Sequence, residues 1–189
     1  MSRLRFFIIC LLCSGFAYAQ DVPDYSPYMN VGYQGNFLIH PGFSVSYDMP
    51  IQDLNITTEK AESLLLQPHV GAFSFIDRNY NILAGADLGV VRTRVKKKGA
   101  SMVSLGLSYL GESEKTGFTV NLGSSDRSNV QREWRHYFLP TLNYEWSTKM
   151  GKKNRFFTKL RWGYALNFER EAEMYLLVAL GLKLPTTKR

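Results

Sequence analysis

Residues 36–49, which read NFLIHPGFSVSYDM, alternate between two kinds of side chain. The odd positions are apolar and largely aromatic, whereas the even positions are mostly small or polar. An alternation with period 2 predicts a β-strand with two unlike faces. A strand of this length would span about 43 Å at ~3.3 Å per residue. Because strands of soluble sandwiches usually have about 5 or 6 residues, the pattern favours a longer-stranded architecture.

Similar alternation recurs along the chain, whereas helical periodicity is almost absent and only Thr58–Leu66 could form a helix. Eight segments alternate, namely 36–49, 64–75, 82–94, 102–110, 118–122, 136–146, 156–168 and 174–184. Most of them reach the 9–11 residues that a tilted transmembrane β-strand needs. The sequence therefore predicts an all-β fold, an eight-stranded antiparallel up-and-down transmembrane β-barrel spanning residues 36–184.

The breaks between these segments fall into two sets that would lie on opposite sides of a membrane. With a periplasmic N-terminus, the periplasmic turns are Ile76–Tyr80, Gly111–Thr116 and Ser147–Asn154. The outer loops are then Pro50–Ser63, Val95–Ala100, Gly123–Arg135 and Glu169–Glu173. Residues 20–35 contain two prolines and few alternating apolar side chains, and predict an irregular periplasmic lead-in. Residues 185–189 form a short C-terminal tail.

The first 19 residues have the layout of a cleaved secretory signal peptide. Arg3 and Arg5 precede an apolar run from Phe6 to Leu12, and Ala17-Tyr18-Ala19 supplies a small-x-small cleavage site. A lipoprotein signal around Cys13 is the alternative, but Leu12 occupies the position where a small residue is expected. Cleavage of 19 of the 189 residues leaves an exported chain of 170.

The composition of the exported chain limits the classes of protein to which it can belong. Cys10 and Cys13 are removed with the signal peptide, so no disulfide cross-links the exported chain. Loss of Arg3 and Arg5 leaves 21 basic against 16 acidic residues, a net charge of +5. No exported segment approaches 18 uninterrupted apolar residues, which argues against transmembrane helices. A nucleic-acid role is not expected for an exported chain without a recognised binding module.

The identity of the side chains indicates which strand face meets lipid. The apolar faces carry large residues such as Trp146, Trp162 and Tyr164, and several aromatic residues fall near strand ends, as in lipid-interface girdles. The opposite faces carry small, polar or charged residues, which suit the narrow interior of an eight-stranded barrel. A soluble lipocalin-like barrel, with its apolar face turned inward, is the structural alternative.

The strand patterns HPGFSVSY, LQPHVGAF and LAGADLGV resemble those of small outer-membrane β-barrel proteins of Gram-negative bacteria, of an uncharacterised type. The resemblance covers nearly all of the exported chain and includes no catalytic signature. It implies an outer-membrane location, contact with membrane lipids and insertion by the outer-membrane assembly machinery. Many such barrels end in an aromatic residue, whereas this sequence ends Leu184-Pro185-Thr186-Thr187-Lys188-Arg189.

Two groups of polar residues are predicted to point into the lumen. A symmetric turn at 76–80 would place His69 opposite Asp87, as a candidate general base or as a neutralising charge pair. Glu145 would lie near Lys159 or Phe157 across the next turn. Together with Asn143 and Arg161, these residues predict an interior ion-pair network or, alternatively, a pore lining.

The remaining candidates carry weaker signals. Lys96-Lys97-Lys98 is either a solvated loop or a contact for lipopolysaccharide phosphates. The cations Lys149, Lys152, Lys153 and Arg155 cluster in a predicted periplasmic turn. The histidines His40, His69 and His136 fall on separate strands without cysteine, so no metal site is predicted.

Catalysis is not expected from these residues. His40 and Ser44 are about 13 Å apart along one strand face, too far for a nucleophile and its base. We therefore expect no enzyme, no catalytic residue and no cofactor, but a structural or surface-interaction role in the outer membrane. A lipid-modifying outer-membrane enzyme and a secreted binder of apolar ligands are the two alternatives.

Overall fold

The computed structural model describes residues 27–36, 41–56, 60–74, 79–94, 99–119, 129–150, 153–167 and 173–186. They form eight strands: β1 (Tyr28–Asn36), β2 (Gly42–Ile56), β3 (Lys60–Ser74), β4 (Tyr80–Arg94), β5 (Gly99–Thr119), β6 (Asn129–Met150), β7 (Asn154–Ala165) and β8 (Glu173–Pro185). Each strand pairs antiparallel with the next, and β1 pairs with β8, which closes the sheet. The predicted eight-stranded up-and-down barrel is confirmed. The predicted signal peptide, residues 1–19, lies outside the described residues.

No helix in the described ranges is both long enough and apolar enough to span a bilayer.

The prediction of an irregular lead-in over residues 20–35 was wrong from Tyr28 onwards. Residues 28–36 form β1, which pairs with β2 on one side and with β8 on the other. The strand was missed because its sequence, YMNVGYQGN, contains two glycines and alternates only weakly. Its two neighbours supply a backbone ladder that local propensity does not reveal.

The predicted turn at Gly111–Thr116 and the separate strand at Phe118–Leu122 were also wrong. Strand β5 continues through Gly111 and ends at Thr119. Its ladder with β6 extends from Gly99↔Thr148 to Thr119↔Asn129, with one register shift between Lys115 and Gly117. Glycine and polar residues suggested a turn here, but cross-strand pairing to β6 overrides that local signal.

These two errors leave the strand count at eight but change which connections share an end of the barrel. The terminal end holds the start of β1, the end of β8 and the connections 57–59, 95–98 and 151–152. The loop end holds the connections 37–41, 75–79, 120–128 and 168–172. Pro50–Ser63 and Val95–Ala100 were predicted to share a side with Gly123–Arg135, and the strand order places them at the opposite end. Most of Pro50–Ser63 belongs to β2 and β3.

The outer wall of the barrel is apolar and its lumen is lined by small, polar and charged side chains. Leu105, Phe43 and Leu107 face outward with 70%, 62% and 60% of their surface exposed. Asp48, Asp87 and Lys183 face inward with 0% exposed. This arrangement confirms the predicted outward direction of the apolar face and contradicts the lipocalin-like alternative, which needs an apolar lumen.

The lumen is filled in three layers. An apolar layer at the loop end consists of Phe73, Leu83, Leu110, Tyr137, Leu139, Ala165, Tyr175 and Leu177. A second apolar layer at the terminal end consists of Tyr28, Leu65, Val91, Ala100 and Met102. Between them lies a layer of buried polar and charged residues that includes Asp48, Asp87 and Lys183. An eight-stranded barrel has an interior just wide enough for side chains, which accounts for this packing.

A polar network in the lumen as the candidate functional site

The middle layer of the lumen is one connected network of hydrogen bonds and ion pairs to which every strand contributes. Its members in strand order are Asn30, Asp48, Gln67, His69, Asp87, Ser104, Ser108, Asn143, Glu145, Lys159, Arg161 and Lys183. Three carboxylates face three strong cations, so the charges balance. Buried charges are tolerated only when they are paired and hydrogen-bonded, as they are here.

Asp87 is the first hub of this network. Its Oδ2 accepts hydrogen bonds from Lys159 Nζ at 2.5 Å and from Arg161 Nη2 at 2.9 Å. Both cations come from β7 on the far wall of the barrel, and Asp87 comes from β4. One buried carboxylate therefore joins two strands that are not adjacent in the sheet.

Lys183 is the second hub and also has 0% of its surface exposed. Its ammonium donates to Asp48 Oδ2 at 2.7 Å and forms an ion pair with Glu145. Asp48 Oδ1 accepts further hydrogen bonds from Asn30 and Gln67, each at 2.6 Å. The lysine side chain thus neutralises two carboxylates from different strands.

Gln67 joins the two hubs through both ends of its side-chain amide. Its Nε2 donates to Asp48 and, at 3.3 Å, to Glu145. Its Oε1 accepts a hydrogen bond from Lys159. Sequence reasoning missed this residue because a glutamine in a strand carries no recognisable chemical signature.

The sequence correctly predicted that the His69 and Asp87 side chains meet, but not the register that brings them together. The turn was expected to pair His69 with Asp87, whereas the ladder pairs His69 with Gly85 and Gln67 with Asp87. His69 Nδ1 lies 3.5 Å from Asp87 Oδ2, because the two side chains are diagonal neighbours on one sheet face. Glu145 lies opposite Lys159 as expected.

A serine that the sequence did not single out as a candidate site residue completes an arrangement that looks like a catalytic triad. Ser108 Oγ lies 3.0 Å from His69 Nε2, and the other ring nitrogen faces Asp87. Ser108 is on β5, and no local motif marks it as a nucleophile. Only the closure of the sheet brings this serine, the histidine and the aspartate together.

The direction of the hydrogen bonds does not suit general-base catalysis. Arg161 Nη2 lies 3.2 Å from His69 Nδ1, and a guanidinium can only donate. Nδ1 therefore accepts, and the neutral imidazole carries its proton on Nε2, which donates to Ser108 Oγ. A general base needs the opposite tautomer, with Nε2 free to accept the serine proton. The carbonyl oxygen of Gln67 and Asp87 Oδ2 are each 3.5 Å from Nδ1, too far to compete with Arg161.

We expect nitrogen-15 NMR of histidine-labelled protein to show His69 as the neutral tautomer protonated on Nε2. The His69→Gln variant identifies the signal among the three histidines of the sequence. The Arg161→Met variant should release Nδ1 and change the tautomer. An Nδ1-protonated ring in the unmodified protein would show that the hydrogen-bond direction is the catalytic one.

The network also connects two halves of the barrel whose backbone ladders are interrupted. The β2–β3 ladder lacks the Tyr47↔Pro68 pair, and the β6–β7 ladder lacks the Pro140↔Tyr164 pair. Proline has no N–H to donate to a ladder. These two seams lie on opposite walls and divide the barrel into β3–β6 on one side and β7, β8, β1 and β2 on the other. The bonds of Asp87 to Lys159 and Arg161 join the two halves. The ion pair of Lys183 with Glu145 joins them as well. The side-chain network therefore adds bonds between the two halves to those of the backbone ladders.

Predicted candidates outside this network have mixed outcomes. Arg155 was predicted to lie in a periplasmic turn, but it points into the lumen with 2% of its surface exposed, beside the ring of Tyr28. Arg155 points inward because alternate residues of β7 face the lumen, namely 155, 157, 159 and 161. His136 lies on the outer wall, where Tyr109 Oη and its Nδ1 are 2.5 Å apart.

Other predicted candidates cannot be placed. His40 and Lys96–Lys98 fall outside the described residues. The strand order assigns the 95–98 connection to the terminal end, so a lipopolysaccharide contact no longer follows from its predicted position. Among the described residues, no group of three histidine, cysteine or acidic side chains could hold a metal ion.

The fold is that of small outer-membrane barrels. The chain resembles the N-terminal β-barrel domain of Pseudomonas aeruginosa OprF with a TM-score of 0.52 at 12% identity, over 84% of this chain and 97% of that one. It also resembles the outer-membrane protein Ail of Yersinia pestis in a nanodisc, with a TM-score of 0.42 at 13% identity, over 84% and 99% of the two chains. No protein-family model and no curated protein sequence matches the chain.

Proposed function

We propose that this protein is a closed outer-membrane barrel that presents a two-stranded ribbon at the cell surface to bind an extended polypeptide segment. The proposal rests on two features, a lumen filled with side chains and a hairpin that extends past the barrel wall. The fold shared with outer-membrane barrels supports the location. Membrane lipids would contact the apolar outer wall, and the outer-membrane assembly machinery would insert the chain.

The lumen supports neither catalysis nor conduction. Ser108 is 1% exposed and Asp87 is 0% exposed, so a substrate has no access to the triad-like group. The lumen is closed by an apolar layer on each side of the network. We infer a non-conducting protein whose activity lies on its outside rather than in its lumen.

The β5–β6 hairpin is the one described element pair that extends well beyond its neighbours. The β4–β5 ladder ends at Tyr80↔Ser113, and the last β6–β7 contact at this end is the Phe138↔Leu166 bridge. Beyond these points, among the described residues, 114–119 pair only with 129–133 of β6, and 134–137 pair only with 110–113 of β5. We call this segment the ribbon, and its six outermost residues on β5 extend about 20 Å at ~3.3 Å per residue.

An extended polypeptide is the occupant that the ribbon geometry favours. Both edges of the ribbon carry backbone N–H and C=O groups that no neighbouring strand of the described barrel pairs, and such edges bind strands by β-augmentation. Side chains at its base add anchoring groups, because Trp134 is 49% exposed and Arg132 stacks over the ring of Tyr80 at 4.6 Å. Aromatic residues and arginine are the side chains that most often dominate binding energy.

Cysteine labelling of intact cells tests the location and orientation of the ribbon. The exported chain has no cysteine of its own if the signal peptide is cleaved as predicted. We expect Trp134→Cys to react with a membrane-impermeant maleimide on intact cells. The matched Lys153→Cys variant, exposed at the terminal end, should react only after the outer membrane is permeabilised. The reverse pattern would place the ribbon in the periplasm and contradict the proposal.

Peptide display tests the binding activity. We expect the folded protein in detergent micelles to enrich phage-displayed peptides with alternating strand patterns. In a variant in which a short turn replaces residues 114–134, the enrichment should fall at least about tenfold. A tenfold loss of affinity equals about 1.4 kcal/mol of binding free energy. The variant retains the barrel if it keeps a heat-dependent shift in gel mobility. Equal enrichment by both proteins would show that the ribbon is not the binding element.

A further inference from the structure

The described part of the lumen contains a small cavity, beside the network and toward β1 and β2. Its lining consists of Gln34, Ser44, Ser46, His69, Phe157, Lys159, Arg161, Leu177 and Ala179. It has room for about one water-sized particle. Its polar lining residues come from β1, β2, β3 and β7, so the closed barrel is needed to assemble it.

The polar groups around this cavity are mainly hydrogen-bond donors. Gln34 is 4% exposed, and its Nε2 has no hydrogen-bond partner. Ser46 Oγ accepts a hydrogen bond from Asn30 at 3.0 Å, which leaves the serine hydrogen to donate elsewhere. A buried donor without an acceptor costs about 1–3 kcal/mol, so an acceptor in the cavity would be stabilising.

The charges around the cavity favour an anion over a neutral acceptor. Lys159 and Arg161 both line it, whereas none of its lining residues is acidic. Both cations share the single carboxylate oxygen Oδ2 of Asp87, which does not line the cavity. The lining therefore combines two cationic side chains with uncharged donors, and the carboxylates that balance them lie outside the cavity. The aliphatic and aromatic side chains of Phe157, Leu177 and Ala179 close the other side.

We propose that this cavity is a binding site for one monatomic anion of the size of chloride. Gln34 Nε2 and the hydroxyl groups of Ser44 and Ser46 donate to the ion, and Lys159 and Arg161 supply the positive potential. The ion accepts a hydrogen bond from the otherwise unpartnered Gln34 Nε2 and stabilises the closed barrel. The site is independent of the ribbon and of any surface ligand.

Stability in different salts tests this site with the full folded chain in detergent micelles. We expect the urea midpoint of unfolding to rise and saturate as sodium chloride replaces sodium gluconate at constant ionic strength, because an ion that binds only the folded state stabilises it. Sodium bromide should act in the same way. Equal midpoints in chloride and gluconate would overturn the proposal and leave the cavity to a water molecule.

Two variants and one control locate the ion. Gln34→Leu should abolish the chloride dependence, and Ser44→Ala should weaken the apparent chloride affinity several-fold. Ser104→Ala, which changes a buried lumen serine outside the cavity, should retain the full dependence. Anomalous diffraction from bromide-soaked crystals should show one peak within hydrogen-bonding distance of Gln34 Nε2. If Gln34→Leu does not fold, the Ser44→Ala and Ser104→Ala comparison and the bromide peak still decide the outcome, and a peak elsewhere would contradict the site.

Discussion

Replacing Asp87 by asparagine is expected to lower the free energy of unfolding by about 3–5 kcal/mol, the usual effect of removing one partner from a buried ion pair. The change leaves Lys159 and Arg161, each 5% exposed, without their shared carboxylate. Urea titration of the barrel in lipid vesicles, followed by the heat-dependent gel mobility shift, measures the difference.

Two further variants test whether the loss of stability comes from the buried network or from the removal of any charged side chain. Glu62→Gln removes a carboxylate that Arg92 and Lys60 contact at the exposed terminal end, and it should leave the unfolding midpoint almost unchanged. Adding Lys159→Met to Asp87→Asn should recover part of the lost stability, because one unpaired cation is removed. An Asp87→Asn protein that unfolds with the midpoint of the unmodified chain would show that the network contributes little.

Replacing Gly106 by alanine is expected to lower the free energy of unfolding by about 1–3 kcal/mol, the typical effect of overpacking a filled interior. A β-carbon at this position would collide with Asp87 Oδ1 and Thr141 Oγ1, and it would lie 3.1 Å from Asn143 Nδ2. Asp87 and Asn143 belong to the polar network, so moving their side chains would loosen it. Urea titration under the same conditions measures the effect.

Gly99→Ala is the matched control for this substitution. The nearest atoms to a β-carbon at Gly99 are Ser147 O at 3.6 Å and Trp146 Nε1 at 3.7 Å, which are ordinary contacts. An alanine there should be neutral or stabilise the protein by about 0.4–1 kcal/mol, because it restricts the unfolded chain. If the two variants have equal stability, the lumen around Gly106 is less tightly packed than the structure shows.

The architecture was predictable because it depends on side-chain period and bulk. Alternation over residues 36–49, with large aromatic residues on one face and glycine and serine on the other, was sufficient to predict long strands whose apolar face is outside. The same alternation predicted the inward direction of Asp87, Lys159 and Arg161. These are consequences of strand geometry, in which successive side chains point to opposite faces.

The errors at β1 and β5 have one physical cause. Tyr28–Asn36 became a strand because β2 and β8 pair with it, and β5 continued past Gly111 because β6 pairs with it. A local sequence signal cannot include hydrogen bonds from a partner that is distant in the chain. The assignment of connections to the two ends of the barrel changed with these two strands.

The amino-acid sequence by itself determined the strand-rich composition, the outward apolar face and the set of charges that must lie inside. Only the tertiary structure decided which of those charges meet. The register of β3 and β4 placed Gln67 rather than His69 opposite Asp87. Ring closure brought Arg161 to His69 Nδ1 and so fixed the proton on the nitrogen that faces Ser108. Period and polarity are local properties of a strand, whereas register and closure depend on all eight strands at once.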